Sequence, residues 1–155
     1  MDKEYIRRKR IADLSQEFSE VTNGIFEIFR YKENRDKDGK DLLLASIPLR
    51  EHPIYGETKI YIRELYDENG EIEYHYGWEK TKGSKHGKHI SAWGNEPHPT
   101  GHRQVKHTEH FHHHHIPEEP AERKDCYYIH TLRDVLEFIE EFIVYKKEYN
   151  KDINT

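Results

Sequence analysis

The chain has one cysteine, Cys126, in 155 residues. That excludes a disulfide framework and any thiolate zinc site, and makes a reducing cytoplasm the expected compartment. Long apolar runs are also missing. None approaches the ~18–20 residues a membrane span needs, and the charged N-terminus reads as neither a signal nor a transit peptide, so no membrane partner is expected. Aliphatic residues are scarce. Leu, Ile, Val and Phe together number 33, close to the composition at which chains cease to bury enough apolar surface to fold. Eleven Tyr and two Trp supplement them with large amphipathic rings. A small core is expected and a large one is excluded.

Charge of one sign is not in excess overall, since the formal net charge is −5, which argues against a basic coat for nucleic acid. Locally the balance reverses. Lys80 to His115 holds Lys80, Lys82, Lys85, Lys88, Arg103 and Lys106 against Glu96 and Glu109, a formal +4 that leaves −9 for the remainder. The same window holds ten of the thirteen histidines. One segment is chemically unlike the rest.

Periodicity gives the element order. Over residues 4–22, Ile11, Leu14, Phe18 and Val21 recur at helical spacing, and Asn23-Gly24 is a stop. Ile25 to Tyr31 and Leu42 to Ile47 read as strands. Lys59 to Tyr66 and Glu71 to Trp78 face each other across Asp67-Glu68-Asn69-Gly70. In the second strand Ile72, Tyr74, Tyr76 and Trp78 alternate with Glu71, Glu73, His75 and Gly77, which predicts a β-hairpin. Ile90 to Trp93 is a further short strand, residues 105–116 can re-enter the sheet, and Pro117 to Lys124 reads as a polar linker. Residues 131–148 form a closing helix. Thr131 and Asp134 make an approximate capping box, and Leu132, Val135, Leu136, Ile139, Phe142 and Ile143 form one apolar stripe. Lys146 and Lys147 complement its dipole. The expectation is a single α+β domain over 1–155, an antiparallel sheet of about four or five strands flanked by N- and C-terminal helices, with the sheet and the His-rich basic segment within 25–116.

The histidine-rich segment admits three readings. Imidazoles ligate zinc, copper or nickel, and His86-x-x-His89 and His107-x-x-His110 have chelating spacing. Alternatively, cleavage of an RNA phosphodiester without metal needs a base for the 2′-hydroxyl, an acid for the leaving 5′-oxygen and cations on the phosphate. Paired histidines supply the first two and Arg103, Lys106, Lys85 and Lys88 the third. Trp93, Phe111 or a nearby Tyr offers a ring for an unpaired base, although Trp93 also suits a core position. The third reading is a solvated polar loop without chemistry.

The stretch from Tyr74 to His115 resembles the TumE-like toxins of prokaryotic toxin–antitoxin operons. The parts that carry the resemblance are Y-H-Y-G-W from Tyr74, A-W-G-N-E-P-H-P from Ala92 to Pro99, F-H-H-H-H from Phe111, and the helix L-R-D-V-L-E-F-I from Leu132. Gly94 stands where the family pattern has Asp. The His run fits the family's His cluster in two registers: His112, His113 and His115 correspond in one, and His113 in both. The resemblance implies a small toxin acting on RNA and inhibited by a cognate antitoxin. Small ribonucleases of the RelE-like and barnase-like folds share this element order.

The proton-transfer argument selects His98 and His113 as acid/base pair with His112 and His115 in support. Asn95 orients a histidine or a phosphate oxygen, and Arg103, Lys106, Lys85 and Lys88 bind phosphate. No resident cofactor is required, while the His cluster leaves room for a divalent metal such as zinc. Partners are RNA and the antitoxin, with a homo-oligomer compatible. The competing function is a non-catalytic His-rich metal-binding or protein-interaction module.

Overall fold

The spacing of Ile11, Leu14, Phe18 and Val21 folds as helix, in two pieces: α1, Lys3–Glu17, and α2, Ser19–Thr22. The computed structural model describes residues 2–34, 39–82, 89–95, 113–116, 119–125 and 129–146. Phe18 leaves helical geometry at φ −100°, ψ 39°, and the turn lets all four apolar residues reach the core, each at most 8% exposed. Asn23, at φ 66°, ends α2 in the left-handed conformation that the Asn-Gly pair forecasts.

Among the described residues seven strands follow: β1 (Glu27–Lys32), β2 (Asp41–Pro48), β3 (Thr58–Asp67), β4 (Gly70–Lys80), β5 (His89–Gly94), β6 (His113–Ile116) and β7 (Glu119–Asp125). They form one antiparallel sheet in sequence order, closed by α3 (Leu132–Val144). The α+β arrangement is the expected one. Strands β1 to β5 make up the expected sheet, and the short β6 and β7 extend it. Residues 119–125 are therefore strand where the sequence reads as linker. Their polar, charged composition is that of a sheet edge, and pairing with β6 forms the strand without any apolar alternation of its own.

The predicted hairpin forms between β3 and β4. Ile60, Ile62 and Glu64 of β3 stand opposite Trp78, Tyr76 and Tyr74 of β4. At its turn, Asn69 donates its backbone N–H to Asp67 (2.8 Å) and Gly70 takes φ 129°, a conformation open to glycine. Alternation sends Tyr74, Tyr76 and Trp78 to one side, where α3 packs, and all three are at most 2% exposed. The whole predicted stripe of α3 is buried with them, and the Thr131–Asp134 capping box forms at 3.1 Å in both directions. This helix stops at Val144, short of residue 148. Lys146 turns back at φ 58° beyond the last turn, so no basic residue complements the dipole within it.

Two charged side chains of α1 also reach the core face. Arg10 donates to Glu64 and, at 3.0 Å, to the Tyr66 hydroxyl, while the hydroxyls of Tyr66 and Tyr76 donate to Glu64, which is fully buried. Burial works against the charge of Arg10, but Glu64 and the two tyrosines outweigh it and raise the guanidinium pKa. Arg7 donates to Asp41 at 2.9 Å and lies 3.8 Å over the Tyr66 ring. These polar anchors fix the register of α1 on a sheet with few aliphatic residues to hold it.

Asp41 links this arrangement to pH. Burial alone would raise its pKa, yet the Asn34 N–H, the Arg7 hydrogen bond and the charges of Lys3 and Arg7 hold it below the ordinary 3.8. A depressed carboxyl pKa stabilises the fold above that ordinary value, and the contribution disappears as pH falls through the lower folded value. Arg7→Ala should therefore move the acid-unfolding midpoint upward, as followed by circular dichroism between pH 2 and 6. An unmoved midpoint would exclude this pair as a source of acid stability.

Candidate functional site

The face of the sheet turned away from the helices holds the candidate groups. On β4 the alternation that buries Tyr74, Tyr76 and Trp78 places Glu73, His75, Gly77 and Glu79 on this second face. Pairing extends the row from His75 in both directions. Arg63 of β3 and Gly94 of β5 stand opposite it, His113 of β6 stands opposite Gly94, and Asp125 of β7 opposite His113. The neighbouring row runs Tyr61, Gly77, Ala92, His115 and Arg123. Directly opposed residues share one face of an antiparallel sheet. Two histidine positions of β6 thus fall on the face that holds His75, separated from it by small residues.

Local geometry ties the described side chains together. The Tyr61 and His75 rings are 6.5 Å apart, and Glu73 holds Arg63 at 3.5 Å. A β-bulge between Trp78 and Glu79 brings His89 opposite Glu79, with nitrogen and oxygen 3.6 Å apart. Gly77 lies beneath this group. A Cβ there would meet His75 Nε2 at 3.6 Å, Glu79 Oε1 at 3.7 Å and His89 Cε1 at 3.8 Å. Such a surface offers imidazoles for proton transfer, a guanidinium for an anion and carboxylates to orient both. Among the described residues, no group of three or more His, Cys, Asp or Glu is placed to hold a metal ion.

The residues selected from sequence divide into three groups. His113 and His115 are on β6, at register positions of the second face. Asn95 follows β5 and accepts a hydrogen bond from the Tyr74 N–H at 2.7 Å, while its own N–H donates to the Tyr74 carbonyl at 3.2 Å. It prolongs the β4–β5 ladder by one step. Trp93 is on the other face. It stands opposite Tyr76, is fully buried and meets Phe138 edge-on with ring centroids 5.5 Å apart. Its indole serves the core and is not offered to a base. His98, His112, Arg103, Lys106, Lys85 and Lys88 lie outside the described residues.

His75 and Glu79 escaped the sequence reading as candidates, and His89 entered it only as a possible metal ligand paired with His86. The signal for His75 was present, because it alternates with buried tyrosines and must face away from them. Nothing local says what it faces. The remaining histidines outside the basic segment have other duties. His52 is buried and accepts the Ile54 N–H at 3.0 Å in a turn, and the His130 backbone donates to Asp134 before α3. A groove of about 600 Å3 between α1 and the start of α3 is lined by Tyr5, Ile6, Arg10, Leu14 and Arg133 among others. It contains no histidine, and its geometry suggests no reaction.

No helix among the described residues is long and apolar enough to cross a membrane. A family model described as toxin TumE matches residues 16–144, extending well beyond the C-terminal half that carries the resemblance in sequence. No curated protein and no solved structure matches the chain.

Proposed function

The chain belongs to the toxin TumE family and is the toxin of a toxin–antitoxin module, and we propose that it acts as a metal-independent endoribonuclease in the cytoplasm. One observation carries this reading. Strand β6 puts the His113 and His115 positions in register with the rows that hold His75, Arg63 and Tyr61, so the one basic, histidine-rich segment of an acidic chain pairs into the sheet in line with a second source of imidazole and guanidinium. His113 is the foremost proton-transfer group, with His98 as its partner and His112 and His115 in support, all from the same segment of the sequence. A base takes the proton of the 2′-hydroxyl, that oxygen attacks phosphorus, and an acid protonates the departing 5′-oxygen. Arg103, Lys106, Lys85 and Lys88 bind the phosphate backbone, Asn95 orients a histidine or a phosphate oxygen, and the antitoxin silences the enzyme.

The charge division limits where RNA binds. The acidic remainder repels phosphate, so contact is confined to the basic segment and depends strongly on salt. Lys85→Glu combined with Lys88→Glu should weaken RNA binding and flatten the plot of log affinity against log salt by about 0.7 for each lost phosphate contact on a single strand. Fluorescence anisotropy with a single-stranded RNA between 50 and 300 mM salt measures it. An unchanged slope means that this loop does not contact RNA, and no RNA binding by the unaltered protein rejects the ribonuclease reading.

A further inference from the structure

We infer that Tyr61 is the ring on which a nucleobase of single-stranded RNA stacks. This rests on the ribonuclease reading and names where a base of its substrate is held. Unpaired bases are recognised by stacking on accessible aromatic rings, and Trp93, the first ring that the sequence offers, is committed to the core. The central strands supply another. Of the four tyrosines of β3 and β4, Tyr66, Tyr74 and Tyr76 are at most 6% exposed. Their hydroxyls are in use: Tyr66 and Tyr76 donate to Glu64, and Tyr74 donates to the Ile129 carbonyl at 3.5 Å. Tyr61 is the one that faces the other way. It is half-buried on the second face, and its hydroxyl makes no hydrogen bond among the described residues. The internal structure of the fold makes no use of this ring beyond its strand position.

The surroundings of Tyr61 select a flat, uncharged ligand. Along its row it stands between Ser46 of β2 and Gly77 of β4, with Ala92 beyond. None of these carries a side chain long enough to lie across the ring. The His75 ring, 6.5 Å away and inclined at 60°, borders Tyr61 without stacking on it. Lys59 and Arg63 flank Tyr61 on the same face of β3, but each meets an acid. Arg63 is 3.5 Å from Glu73, and Lys59 stands opposite Glu79. Charge is matched at this patch, so it suits a base better than a phosphate. The surplus of positive charge lies in the basic segment, whose loop with Lys85 and Lys88 leads into β5 at His89. His89 is two strands across and two residues along from Tyr61, about 12 Å by strand spacing and rise. An RNA strand whose phosphates follow those lysines can lay a neighbouring base on Tyr61.

The experiment is fluorescence anisotropy of a labelled single-stranded RNA with the full chain, across a range of salt concentrations and with circular dichroism to confirm folding. Tyr61→Ala should bind about 5- to 100-fold more weakly, the usual cost of removing one stacking ring. Tyr61→Ile should lose as much, although its β-branched side chain suits the strand and protects the fold. In both, the slope of log affinity against log salt should stay unchanged, because no phosphate contact is lost. Tyr61→Phe keeps the ring and should bind within about twofold of the unaltered protein. Full affinity in Tyr61→Ala and Tyr61→Ile, an equal loss in Tyr61→Phe, or a flattened salt slope would overturn the stacking site and leave the ribonuclease reading standing. RNA bound in the expected pattern but left uncut would support Tyr61 and reject the ribonuclease reading. No RNA binding by the unaltered protein would reject both.

Discussion

His113→Ala is expected to abolish growth arrest on expression and to lower RNA cleavage by about 10²- to 10⁴-fold, the usual contribution of a positioned acid or base. His113 is the residue on which independent observations meet. It corresponds to the family's His cluster in both registers of the His112–His115 run, and it stands opposite Gly94 in the row that contains His75. His115, one row away opposite Ala92, should cost less, because its row places Gly77 where the other places His75. Both effects are read from colony counts on inducing medium and from cleavage by purified protein, with circular dichroism as the folding control. A toxic His113→Ala protein with undiminished cleavage would remove the residue from the reaction.

The largest expected effect on stability comes from the buried charge under α1. Arg10→Met leaves Glu64 fully buried without its cation, still facing the Tyr66 and Tyr76 hydroxyls. Removing one partner of a buried pair costs about 3–5 kcal/mol. With a third of the Arg10 side chain in water, the lower end applies. A loss of about 3 kcal/mol lowers the Tm of a chain of this size by about 6–12 °C. Adding Glu64→Gln should recover part of that loss, since the neutral amide removes the stranded charge. Calorimetry decides it. An unchanged Tm in Arg10→Met, or a further fall in the double variant, would show that the stranded charge is not the cause.

What was legible in the sequence was local or periodic. The α3 stripe needs only 3.6-residue spacing, its capping box only four consecutive residues, and the β3–β4 hairpin only alternation around an Asn-Gly turn. Elements decided by distant partners were not legible. Helix α1 breaks at Phe18 because Phe18 and Val21 must both reach a sheet whose position the segment does not specify. Strand β7 has no apolar pattern and exists through its pairing with β6. The end of α3 depends on the left-handed turn at Lys146, which no breaker residue announces.

The candidate site divides in the same way. Ten histidines within one basic window mark the segment by composition, and the resemblance to the family's His cluster singles out His112, His113 and His115 within it. His75 is a single histidine in a strand, indistinguishable in sequence from any exposed polar residue, until strand order places it two steps from His113. Trp93 shows the converse. As an aromatic beside an Asn and a His in a family motif it looks like a stacking platform, but its alternation with Ala92 and Gly94 commits it to the core. The motif A-W-G-N-E-P-H-P thus mixes a core anchor, a small floor residue and a ladder extension.

The central claim is that these histidines move protons and do not hold a metal. The direct measurement is RNA cleavage by purified, tag-free protein from pH 5 to 9, with and without EDTA. Activity that persists in EDTA and follows a bell peaking at about pH 6 to 7 is the expected result, because one imidazole must be neutral and another charged. Complete loss in EDTA, recovery with zinc and a rate that climbs with pH as a bound water ionises would contradict it, and would make the same histidines ligands.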